Sequence, residues 1–349
     1  MTHKQRRIFV VMLLFVISPH FFLAQSLEIR VKLQRFPETW VYNSNDIKIY
    51  TLEHLPAGWV YNSAGNRIFK HKYHVVVYDG TTKRVIPVGD VPRFLAYNPT
   101  DNKIYCSNWG GNDVTVIDGT TDSVIATIPV GNKPWTLLCS PANNKVYCAN
   151  RASDNVTVID GAANRVITTI AVGDAPWALM HNPTDDKVYC ANWNSENVTV
   201  IDGTADSVIA TIGVGNRPRS LGYNSVDNKI YCANWASDNV TVIDGTTDMV
   251  ITTIKVGRDP YAFVYNSNDN KIYCSTRAGH GIAVIDGVTD RVIANIKPGC
   301  YALAYDSTDN VLYCTYYRHL VVIDGRTDRV IKKTENRYDY DHPRVKISF

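Results

Sequence analysis

Glutamate is almost missing from the body of this 349-residue chain: between Trp59 and Lys333 it occurs once, as Glu196. General acid–base catalysis needs a carboxylate or imidazole placed against the substrate. The loop histidines His71, His74, His280 and His319 are dispersed, and neither Gly-x-Ser-x-Gly nor His-Glu-x-x-His occurs. The sequence therefore assigns no catalytic residue, no metal ligand and no cofactor. A sustained 3.6-residue apolar period is missing as well, which argues against helices. So is an excess charge of either sign. Three of the 36 Lys and Arg, and none of the 33 Asp and Glu, fall within the first 26 residues, so the remainder carries 33 of each. A balanced chain lacks the global basic footprint of a dedicated nucleic-acid binder.

Apolar runs long enough to cross a bilayer are also missing. The one continuous run, Ile8 to Ile17, follows Lys4, Arg6 and Arg7 and precedes Ser18, Pro19 and Ala24-Gln25-Ser26. A basic head, a short apolar stretch and small residues at a cleavage site read as a secretory signal peptide over residues 1–26, well under the ~20 residues of a spanning helix. The expectation is an exported monomer, secreted, periplasmic or at the cell surface, with no transmembrane segment after cleavage.

What the chain does have is repetition. Tyr-Cys-Ala-Asn or a close variant begins at Tyr105, Tyr147, Tyr189, Tyr231 and Tyr273, each 42 residues after the last, and Asp-Gly follows at Asp118, Asp160, Asp202, Asp244 and Asp286. Weaker copies at Asp79 and Asp324 bring the number to seven. Each period holds four short runs rich in Val, Ile, Thr and Tyr, punctuated by turn residues. Runs such as Val146-Tyr147-Cys148-Ala149 and Val156-Thr157-Val158-Ile159 are apolar on both faces, as a sheet packed between two others must be. The expected fold is all-β, a seven-bladed β-propeller of four-stranded blades. It fills residues 27–349 as one domain, with a lead over 27–56, repeats over about 57–334 and a tail over 335–349.

Asn-Lys-Ile/Val before the Tyr-Cys-Ala-Asn unit and Val-Thr-Val-Ile-Asp-Gly after it resemble the YVTN family of β-propeller repeats, with Cys and Ala standing for Val and Thr. The resemblance spans roughly Trp59 to Lys333. It implies the propeller fold strongly and function weakly, since such repeats occur in exported and surface proteins and in lactonase-like and haem-d1-type propellers.

Eight Cys in an exported chain would ordinarily suggest disulfides. Cys106, Cys148, Cys190, Cys232, Cys274 and Cys314 recur at one strand position, and neighbouring sheets pack roughly 10 Å apart, beyond disulfide reach. They read as small buried fillers. Cys139 and Cys300 fall outside the series and leave Cys139–Cys148 and Cys300–Cys314 open as pairs. The Asp of each Asp-Gly reads as a turn residue rather than a calcium ligand, the Gly supplying a positive φ and the carboxylate capping backbone donors. Trp40-Val41-Tyr42-Asn43 and Ile47-Lys48-Ile49-Tyr50 look like fragments of an eighth unit, available to add a strand to the last blade.

Strand direction alternates along a blade, so the loops joining strand four to the next strand one, and strand two to strand three, share one face. The hairpins of the opposite face repeat almost verbatim; this face varies. Its innermost position reads Trp59, Arg93, Trp135, Trp177, Arg219, Tyr261 and Tyr301, expected around the mouth of the central channel. Outside it stand His71, Trp109, Arg151, Trp193, Trp235, Arg277 and Tyr317-Arg318. Lys133, Arg217 and Arg258 add positive charge, partly offset by Asp90, Asp174 and Asp259. Trp, Tyr and Arg dominate binding hot spots, and large exposed aromatics need a reason. The expected function is a binding or scaffold module whose partner is a protein, a carbohydrate or a small anionic or aromatic ligand. The alternatives are a lactonase-like or metal-dependent hydrolase in the channel, and single-stranded nucleic-acid binding.

Overall fold

The computed structural model describes residues 40–43, 48–55, 59–61, 67–69, 72–78, 83–276, 281–297, 300, 302–316 and 319–335. The expected signal peptide and nearly all of the expected tail lie outside them. Every regular element described is a strand. Seven four-stranded sheets follow one another along the chain as the blades of a propeller. By contact density the chain divides into two compact units: Phe36–Ser195 with Thr199–Thr211, and Ile212 onward with Glu196–Val198. Among the described residues no helix is long and apolar enough to cross a membrane.

Blade three shows why these residues make this element. Its strands Pro134–Ser140, Lys145–Asn150, Asn155–Asp160 and Arg165–Ala171 pair antiparallel in sequence order. Alternate side chains point to opposite faces of a strand. Val146, Cys148 and Ile159 join Tyr105, Val114 and Val116 of blade two. Tyr147, Ala149, Val156 and Val158 join Leu179, Val188, Cys190 and Ile201 of blade four. The same division recurs between blades one and two, five and six, and six and seven. The repeated Cys are fully buried free thiols, and burial pushes the ionisation of Cys106, Cys148, Cys190, Cys232 and Cys274 well above the ordinary thiol range. Cys139, Cys300 and Cys314 are free thiols too. Each fully buried Val, Ile or Leu contributes roughly 1.5–3 kcal/mol, so both faces of a blade depend on neighbouring blades.

The verbatim hairpins do more than turn the chain. Lys145, opening a second strand, donates from Nζ to the Gly203 carbonyl at 2.7 Å and to Asp206 at 2.8 Å, in the Asp-Gly turn of the next blade. Lys103 reaches Gly161 and Asn164 in the same way. In the second unit Lys229 reaches Gly287 and Asp290, and Lys271 reaches Gly325 and Asp328. An amide lattice runs alongside, with Asn98 donating to Asn144 at 2.7 Å and Asn144 to Asp101 at 2.7 Å. The turns are therefore inter-blade clamps.

The Asp of Asp-Gly caps as expected: Asp118 Oδ1 accepts from the Thr120 and Thr121 backbone N–H groups at 3.0 and 2.7 Å. The expected positive φ at the Gly is corrected. The left-handed residue of that turn is four places after the Asp, at Asp122, Asn164, Asp206, Asp248, Asp290 and Asp328. Glycine is needed for proximity instead, because a Cβ on Gly161 would meet the Asn144 carbonyl oxygen at 2.6 Å.

Blade one also differs from expectation. Trp40–Asn43 and Lys48–Leu55 are its first two strands, followed by Lys72–Tyr78 and Lys83–Ile86. They supplement no other blade, and the propeller strands begin at Trp40 rather than near residue 57. Trp59–Tyr61 pairs with Arg67–Phe69 in a separate two-stranded sheet. The physical reason is pairing: Lys48–Leu55 zips with Lys72–Tyr78 over seven residues, leaving the weak repeat-like segment between them as an inserted hairpin.

Candidate functional site

The innermost variable residue of a blade is aimed by a bulge. In blade three Pro134 pairs with Asn150 and Thr136 with Ala149, so Trp135 has no cross-strand counterpart. Arg93, Trp177, Arg219 and Tyr261 occupy the same bulged position. An extra residue re-aims a side chain and bends its strand. Two residues earlier the backbone turns left-handed, at Val91, Lys133, Ala175, Arg217 and Asp259, with φ between 50 and 55°. The carbonyls there accept the backbone N–H of the outer series: Trp109 to Val91 at 2.9 Å, Arg151 to Lys133 at 3.1 Å, Trp193 to Ala175 at 3.0 Å and Trp235 to Arg217 at 3.0 Å. Inner and outer variable residues are thus fastened side by side in blades two to five, as the strand-direction argument requires.

Within the first unit these side chains form one layer. Trp109 meets Trp135 edge-on at 5.5 Å, Trp135 meets Trp177 at 4.5 Å, and Trp177 stacks on Trp193 at 4.7 Å with 30° between planes. Arg93 lies 4.9 Å from the Trp135 ring and Arg151 4.8 Å from that of Trp177. All six residues are half-buried. Three cations surround the Trp109 ring: Lys133 at 5.2 Å, Arg93 at 5.5 Å and Arg151 at 5.8 Å. Among the described residues no carboxylate forms an ion pair with Lys133 or Arg151. In the second unit, taken by itself, Arg219 covers Tyr261 at 4.1 Å and Arg217 lies 5.7 Å from the Trp235 ring.

Six of the expected site residues, Arg93, Trp109, Trp135, Arg151, Trp177 and Trp193, therefore come together in one layer. Arg219, Tyr261 and Trp235 hold the equivalent blade positions in the other unit. Trp59 does not open a first strand, being part of the inserted hairpin. Arg277, Tyr301 and Arg318 lie outside the described residues. Pattern reading missed the bulge that sets the inner series apart. The signal was present: a Pro precedes Arg93, Trp135, Trp177, Arg219 and Tyr261 alike, and Pro in a sheet marks an edge or a bulge.

The pattern of the YNCE-like β-propeller family matches residues 73–340. The chain belongs to that family. Its repeats are of the YVTN type read from the sequence. No curated protein matches the chain. Among solved structures it is similar to the Kuenenia stuttgartiensis hydrazine synthase, at 20% identity and TM-score 0.54, over 77% of this chain and 90% of that one. It is also similar to the dihydro-heme d1 dehydrogenase NirN in complex with DHE, at 14% identity and TM-score 0.66, over 88% of this chain and 74% of that one. At such identities the likeness is one of fold.

Proposed function

We propose that this YNCE-like propeller is a binding module whose layer from Arg93 to Trp193 holds a ring-bearing anionic ligand, such as an acidic carbohydrate or an aromatic acid. The crowding of Lys133, Arg93 and Arg151 around the Trp109 ring carries the reading. Each cation–π contact is favourable by about 0.5–2 kcal/mol, but clustered like charges repel. An oxyanion entering among them removes that repulsion. The Trp177 indole covers the Arg151 guanidinium face, and a guanidinium N–H edge suits bidentate pairing with a carboxylate or ester oxyanion. The half-open indoles suit a sugar or aromatic ring. Export through residues 1–26 belongs to the same proposal.

A second reading, single-stranded nucleic acid, draws on the interleaving of Trp with Arg, since bases stack on aromatics while phosphates pair with cations. An enzymatic role draws on the two solved structures, both named for catalysts, and on fold alone.

Calorimetric titration with an oligogalacturonate, a neutral gluco-oligosaccharide and a dodecathymidylate separates these readings. The acidic sugar is expected to bind, Arg151→Gln to weaken it at least tenfold, and Trp135→Ala with Trp177→Ala to abolish it while cooperative unfolding persists. Binding that is indifferent to Arg151→Gln sinks the proposal. Preference for the oligonucleotide, with a steep salt slope, transfers it to the second reading.

A further inference from the structure

Blade seven breaks the repeat at a cysteine. In blades two to six the first strand opens with Pro92, Pro134, Pro176, Pro218 and Pro260; Cys300 stands at that place in blade seven. The repeated Cys there, Cys314, also lacks its usual partner. In blades two to five the thiol hydrogen-bonds the Asn two residues on, Cys106 to Asn108, Cys148 to Asn150, Cys190 to Asn192 and Cys232 to Asn234, at 3.4–3.6 Å. In blade seven that residue is Tyr316, and the Cys314 thiol is instead close enough to that of Cys300 to raise its ionisation. Both lie in one apolar cluster with Leu303 and Leu312, Cys300 2% exposed and Cys314 0%. The strand register agrees. Leu303 pairs with Cys314 and Ala302 with Thr315, so the start of the first strand runs beside Cys314 and Tyr316.

We propose that Cys300 and Cys314 form a reversible dithiol–disulfide couple that ties the opening of blade seven's first strand to its second. The co-reactant is a disulfide of the small-molecule or protein class. The Cys300 thiolate attacks one of its sulfurs, giving a mixed disulfide and a leaving thiolate that takes up the Cys300 proton. Cys314, deprotonated in turn, attacks the Cys300 sulfur and expels the second thiolate. Two protein thiols are oxidised and one disulfide is reduced to two thiols, so electrons and protons balance. Desolvation, then the neighbouring Cys314, pushes the Cys300 thiol well above its ordinary range. The first attack is therefore slow at neutral pH and quickens as pH rises.

The test treats the whole chain with oxidised glutathione at pH 8.5, then alkylates it in denaturant and maps the peptides. Of the eight thiols, two should escape alkylation, with one cross-linked peptide joining Cys300 to Cys314 and a Tm several degrees higher that dithiothreitol reverses. Cys300→Pro, which restores the residue of the other blades, should remove both the cross-link and the Tm difference; Cys300→Ser serves as a second variant should Pro disturb the strand. Eight alkylated thiols, a stable glutathione adduct at Cys300, or a cross-link to Cys274 would each overturn the proposal.

Discussion

Val91 is the residue at which local strain is most plainly stored. Its φ of 50° lies in the left-handed region, which a β-branched side chain tolerates poorly and which costs a non-glycine residue about 1–2 kcal/mol. The equivalent positions carry Lys133, Ala175, Arg217 and Asp259, so the conformation belongs to the blade and the side chain is incidental. Val91→Asn is expected to raise unfolding free energy by about 1 kcal/mol, read from urea denaturation. An unchanged or lower midpoint would show that Val91 packing outweighs the strain. Half of this scale was legible beforehand. The Cys, Tyr and Trp of each repeat were readable because their positions recur. The left-handed residues were less so, because Asn and Asp favour that region only statistically and Val, Lys and Arg do not favour it at all.

At the scale of the element, the hairpin clamps and the bulged first strand divide the work. The clamp needs glycine where the Asp-Gly turn closes on the turn between the first two strands of its own blade. Gly161→Ala would place a Cβ 2.5 Å from Asn144 Oδ1 and 2.6 Å from its carbonyl oxygen, and should cost roughly 2 kcal/mol by overpacking. Gly213→Ala meets nothing within 4 Å and ends an exposed outer strand, so its midpoint should stay within about 0.5 kcal/mol of wild type or rise slightly. Equal effects from the two would refute the proximity argument. The outer strands carry half-exposed Val-Ile pairs such as Val166-Ile167 and Val208-Ile209. A bulge breaks the register beside Val166, and an irregular edge resists pairing with another chain. The Lys clamps had a sequence signal in the Lys that opens strand two from blades two to six. Its partner lies 61 residues ahead, beyond what one period displays.

For the molecule as a whole, the titrating groups set a pH window. Burial raises the hydroxyls of Tyr105, Tyr147, Tyr231 and Tyr273 well above the ordinary phenol range and that of Tyr305 to about 12. A proton held more tightly in the folded state contributes stability below the unfolded value near 10, lost as pH climbs through the folded values. Asp286 and Asp324 move the other way, lowered by hydrogen bonds from Thr289 and Thr327. Their contribution is present above the unfolded carboxylate value near 4 and lost as pH falls. Tm should therefore be flat from about pH 5 to 9, decline on the acid side and fall more steeply beyond pH 10, with phenolate absorbance rising together with unfolding. Phenolate absorbance rising before unfolding would contradict the burial of these rings.

By itself the sequence determined the number of blades, the strands of blades two to seven and the two kinds of loop, because each depends on spacing and on the alternation of apolar residues within a single repeat. Tertiary structure decided the rest: that Trp40 and Lys48 begin blade one, that a bulge aims Trp135, and that four indoles and three cations meet in one layer. Those outcomes depend on contacts between strands and between blades, where distance in space is unrelated to distance along the chain.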